Sequence, residues 1–150
     1  MMNTMLKRLT ILIGLSTLFT QHINNETSWE FNSSPLQSFY IFDIIQIDGE
    51  VAEGDGWAPS TTISSECVNN PFSCDVLGAF MNDVCVGWVY ADSGGFTTLP
   101  IMGTNSTNPP NNTEGYCQEG DIPNIKIYDS SSGAILDITI GDNIPGWSEN

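Results

Sequence analysis

The chain predicts an all-β fold, an antiparallel sandwich of about seven short strands stapled by disulfides, and three observations carry that reading. Residues 75–90, DVLGAFMNDVCVGWVY, set two short apolar runs on either side of Asn82-Asp83, a pair that tolerates the positive φ of a tight hairpin turn. Residues 38–47, SFYIFDIIQI, and the pair IPNIKIYD (122–129) and AILDITI (134–140) are rich in the β-branched and aromatic residues that strands favour. No segment beyond residue 20 carries the apolar spacing of a helix.

In the central hairpin the turn aligns Met81 with Val84, Phe80 with Cys85, Ala79 with Val86 and Leu77 with Trp88. Neither resulting face is polar, so the hairpin is expected to be buried on both sides. In 38–47, Phe39, Ile41, Ile45 and Ile47 share one face with Asp43 as an intruder, and Tyr40, Phe42 and Ile44 share the other. A short strand is expected around 60–64. Another is expected over 96–102, where Pro100 argues for an edge or a bulge. Residues 103–120 have no apolar periodicity and read as a long surface loop. In 122–129, Ile125 and Ile127 alternate with Asn124, Lys126 and Tyr128, and 130–133 turns into the partner strand.

The organisation ahead of the domain is that of an exported protein. Residues 1–8 form a basic leader and 9–19 an apolar run too short for a membrane span, so 1–20 is expected to be a signal peptide. Residues 21–28 read as a polar linker and 29–150 as the sandwich. Four cysteines in such a chain imply disulfides, and of three connectivities Cys67 with Cys74 and Cys85 with Cys117 is favoured. The spacing matches no zinc pattern.

Charge narrows the partners. Beyond residue 20 there are 18 acidic residues against one lysine, a formal net charge of −17. Such a surface repels phosphate backbones and anionic lipid, which argues against nucleic-acid and peripheral-membrane binding, and no membrane insertion is expected once the signal is removed. It invites divalent cations. Asp48, Glu50, Glu53 and Asp55 lie within eight residues and are spaced by glycines, a candidate calcium loop that does not follow the EF-hand pattern.

Catalysis finds little to work with. The one histidine, His22, sits in polar sequence beside the expected cleavage point, so no Ser-His-Asp or Cys-His set forms in the domain without it. Carboxylate pairs are plentiful, but no spacing singles one out. Trp57 and Tyr116 are the aromatics expected to be exposed for stacking on sugars, while Trp29, Trp88 and Trp147 are expected in the core. Four sequons, at Asn25, Asn32, Asn105 and Asn111, fall in segments expected to be exposed.

The pieces W-x-F-N from Trp29, V-L-G-A-F-x-x-D-V-C-V-G over 76–87, and G-D-I-P-x-x-K-I-Y-D over 120–129 with a following S-S-G resemble an all-β module. Modules of that kind recur, often in tandem, in large secreted and cell-surface proteins. The resemblance implies a non-catalytic extracellular sandwich that continues into a further strand after Pro145-Gly146-Trp147. The expected function is therefore a secreted structural or adhesive module that associates with itself or with neighbouring modules. The alternative is a calcium-supported carbohydrate-binding module.

Overall fold

The computed structural model describes residues 20–59, 61–106, 112–140 and 144–149, so residues 1–19 of the expected signal peptide lie outside the described residues. Strand content dominates, and every ladder is antiparallel. In chain order the strands are β1 (Gln21–Ile23), β2 (Glu30–Asn32), β3 (Gln37–Phe42), β4 (Gln46–Ile47), β5 (Glu50–Val51), β6 (Val76–Met81), β7 (Val84–Tyr90), β8 (Thr97–Met102), β9 (Asn124–Asp129) and β10 (Ala134–Asp137). A four-stranded sheet runs β10-β9-β6-β7, and β1-β2, β3-β8 and β4-β5 form two-stranded ribbons. The β7 strand packs on both β8 and β2, which covers the central hairpin.

That hairpin turns at Asn82, whose φ of 53° is the left-handed value such a turn needs. Its strands are buried on both sides apart from Met81 and Val84 at the tip. The register departs from expectation. Met81 and Phe80 face Val84 and Cys85, but then Ala79 faces Gly87, Gly78 faces Trp88, and Leu77 faces Val89. Val86 is the extra residue of a β-bulge, which shifts every later pair by one. A Cβ on Gly78 would stand 2.7 Å from the Trp29 ring, so this glycine makes the seat for that indole.

Strand β9 alternates as the sequence predicts, with Ile125 and Ile127 buried and Lys126 lying with its ammonium 5.6 Å from the Phe80 ring centre. The turn into β10 is held by Asp129, which accepts from the hydroxyls of Ser131 and Ser132, and by Gly133 at φ 72°. Pro100 sits in β8, which among the described residues pairs with β3 alone, as a strand proline should.

Other expectations are corrected. The run 38–47 is two strands broken at 43–45, and β3 buries Ser38 and Tyr40 while Phe39 and Ile41 face out. Residues 61–64 form no strand. They lead into a one-turn helix, α1 (Glu66–Asn69), capped by the Ser65 side chain, and a short 3-10 helix, Pro71–Ser73. The segment 21–28 is no slack linker: β1 pairs with β2, and buried Asn24 holds the connecting turn through its Oδ1, which accepts from Glu26 N, Thr27 N and Thr27 Oγ1. At the far end Trp147 donates from Nε1 to the Ile101 carbonyl and lies over Gly103, so 144–149 is anchored although it forms no strand.

Candidate functional site

The acidic segment folds as a hairpin rather than a cage. Asp48 and Gly49, at φ 51° and 90°, make the tight turn between β4 and β5, and Asp48, Glu50 and Glu53 are exposed. Asp55 is engaged elsewhere. Its Oδ2 accepts from Ser65 Oγ at 2.7 Å and Cys67 N at 3.3 Å, and its Oδ1 accepts from Trp57 N at 3.1 Å. Partial burial alone would raise its pKa, but the bonds from Ser65, Trp57 and Cys67 outweigh that and hold it below the usual carboxylate range. Among the described residues no group of three or more acidic, histidine or cysteine side chains is gathered as a metal site.

A buried acid that sequence reasoning passed over does more for the architecture. Asp75, just before β6, accepts from Glu53 N at 2.8 Å on one oxygen and from Ser130 N and Oγ, both at 2.9 Å, on the other. It joins the acidic hairpin, the central strand and the β9–β10 turn at one point.

The aromatic candidates divide. Tyr116 is buried, not exposed, because its hydroxyl accepts from Asn32 N at 2.7 Å and closes the polar loop onto β2. Trp57 is half-buried. Its Nε1 donates to the Ile63 carbonyl, its own carbonyl accepts from Tyr90 N, and its ring centre lies 6.2 Å from Trp88 and 6.3 Å from Tyr90. Trp29, Trp88 and Trp147 are in the core, as expected. A cleft of about 260 Å³ opens beside Trp57, lined also by His22, Asn24, Val68, Trp88 and Tyr90.

Cys67 and Cys74 are joined, with Cα atoms 5.7 Å apart. Cys85 and Cys117 are not. Both are buried free thiols, and burial pushes each up to about 12. Cys85 Sγ turns to the Gly87 carbonyl instead, beside the bulge. Of the sequons, Asn25 is exposed, and Asn32 is half-buried with Nδ2 donating to the Asn112 carbonyl. Asn105 is buried rather than exposed, and Asn111 lies outside the described residues.

One surface was not anticipated in position. Among the described residues the β3 strand has a ladder partner, β8, on one edge only, and its outward side chains Phe39 and Ile41 are 43 % and 66 % exposed, with Ile44 at 67 % just beyond. Beside Phe39, Tyr40, Ile41 and Phe42 opens a mostly apolar hollow of about 490 Å³, shared with Ile140, Ile144 and Pro145, and beyond it, beside residues 44–48, a more polar one of about 480 Å³ shared with Leu136, Ile138 and Ile140. Tyr40 spans the gap, its hydroxyl donating to the Pro145 carbonyl.

No family model, curated protein or solved structure matches this chain.

Proposed function

We propose that this chain is a secreted, non-catalytic structural or adhesive module that joins a second copy of itself, or neighbouring modules, by strand addition along the open edge of β3. The observation that carries the reading is this edge, unpaired among the described residues and bordered by a mostly apolar hollow between Phe39, Ile41 and Phe42 on one side and Ile140 and Ile144 on the other. An extended segment laid there would satisfy backbone groups of β3 and bury Phe39, Ile41 and Ile44 together. The Cys67–Cys74 disulfide suits an oxidising compartment, and among the described residues no helix is long and apolar enough to cross a membrane.

Electrostatics set the conditions. Copies carrying this much negative charge repel one another, so association rests on backbone bonding and apolar contact and should strengthen as salt screens the charge. Light scattering on the protein purified from a secreting host, at low and high salt, tests the reading. Wild type should associate in a concentration- and salt-dependent way, and Ile41→Lys should remain monomeric with its melting temperature unchanged. A wild-type monomer at every concentration and salt level, or assemblies indifferent to Ile41→Lys, would overturn it.

A further inference from the structure

Pro100 fixes which backbone groups of β3 are free. It faces Phe39 across the ladder and has no N–H, so that pair exchanges no hydrogen bonds. The bonds to β8 therefore run through the alternate residues, Ser38 opposite Ile101 and Tyr40 opposite Leu99. Phe39 and Ile41 turn their N–H and C=O groups to the other edge, where among the described residues no strand pairs. The Pro100 carbonyl likewise points away from β3, toward Gly87. Tyr40 is buried on the face opposite the exposed Phe39 and Ile41, and its hydroxyl reaches the Pro145 carbonyl. Pro145 thus lies on the core side of the strand and not in line with its edge.

Charge decides where two copies can meet. Beyond residue 20 the chain has 18 acids against one lysine, yet neither β3 nor β8 holds a charged residue, and 31–42 is free of them throughout. β10 also has an unpaired edge among the described residues, with Ile135 and Leu136 exposed, but it contains Asp137 and follows Asp129 across the turn. Two anionic copies approach through β3 with less repulsion than through β10.

We infer that the occupant of the β3 edge is the β3 strand of a second copy, antiparallel about a two-fold axis at Tyr40, in a closed dimer. This rests on the strand-addition reading and narrows it to one partner and one register. Phe39 pairs with the partner's Ile41, and Ile41 with the partner's Phe39, so both free N–H and C=O sets are satisfied by one another. On the outward face these four apolar side chains become cross-strand neighbours. Asp43, just past β3, meets the partner's Gln37 and not another acid. Shifted two residues one way, Phe39 would face Asp43; shifted the other way, Ile41 would face Gln37. The contact uses the same surface on both copies, so it closes at two chains.

The test is disulfide trapping on the secreted full chain, with light scattering beside it. Phe39→Cys and Ile41→Cys put thiols at exposed positions, and Ile135→Cys on β10 is the collision control. Cys85 and Cys117 are buried and do not compete. Residues 39 and 41 of opposite copies would have Cα atoms about 5.5 Å apart, within disulfide reach, whereas like residues stand diagonally at about 7–8 Å. An equal mixture of the first two variants should therefore cross-link about tenfold faster than either alone or than the control. Wild type should reach twice the chain mass as concentration and salt rise, and stop there. Melting temperatures matching wild type establish that the variants fold, and the wild-type mass needs no substitution. A single variant that cross-links as fast as the mixture overturns the register. Species larger than two chains that Ile41→Lys abolishes overturn the closed dimer while strand addition itself stands. A wild-type monomer throughout, or fastest cross-linking through Ile135→Cys, overturns both.

Discussion

Gly87 and Pro100 approach so closely that a Cβ on the glycine would fall 1.7 Å from the proline carbonyl oxygen. Neither atom belongs to a flexible side chain, so the clash could be relieved only by parting β7 from β8. Gly87→Ala is therefore expected to destabilise the protein by about 3 kcal/mol or more, at the upper end of overpacking effects. Chemical denaturation gives the value directly. A loss below about 1 kcal/mol would mean that the two strands are less tightly apposed than described.

Asp55 offers a second check, because its oxygens are used to hold the chain rather than to await a ligand. Asp55→Ala removes the acceptor for Ser65, Trp57 and Cys67, and should cost about 1–2 kcal/mol. Since its folded pKa is depressed, its contribution is fully present above the unfolded value and is lost as pH falls through the folded one, below about pH 4. Thermal melts of the variant should fall below wild type by the same margin in calcium and in chelator. A difference confined to calcium would instead make Asp55 a metal ligand.

These two sites also show where the sequence speaks and where it falls silent. The central turn and the β9–β10 pair were legible because alternation and turn chemistry are local signals, and Asn82, Ile125 and Ile127 sit as they predict. The bulge at Val86 was not, since no local signal marks it, and neither was the approach of the adjacent Gly87 to Pro100 across a layer. Tyr116 looked exposed because its loop is polar, yet its hydroxyl meets a backbone donor 84 residues upstream. Of the candidate sites, Trp57 could be read from composition. Asn24 could not, because one more polar residue in a polar segment carries no mark of burial.

His22 supplies a pH response of its own. Its ring lies 5.0 Å from Phe31 with Nε2 beside Ser33 Oγ at 2.9 Å, and burial lowers its pKa. The folded state thus binds its proton less readily than the unfolded chain. The associated stability is present above about pH 6.5 and is lost as pH falls through the depressed value. Melting temperature should decline between about pH 7.5 and 5, and His22→Gln should flatten that decline. An identical pH profile in the variant would remove His22 as its cause.

The two remaining thiols give the last prediction. Cys85 and Cys117 are buried, and with their pKa pushed to about 12 almost no thiolate exists near neutral pH to attack a reagent. In the native protein a thiol reagent such as Ellman's should therefore register nothing, whereas in denaturant it should register two thiols per chain. Reducing the bond between Cys67 and Cys74 first should raise that count to four and lower stability by about 2–3 kcal/mol, the loop-closure value for so short a ring. The decisive reading is the denatured, unreduced sample. Two thiols there confirm that Cys85 turns toward Gly87 and stays apart from Cys117. None would show that oxidation joins these residues after all, and the packing around the bulge would then have to open far enough to let Cys85 swing away from the Gly87 carbonyl.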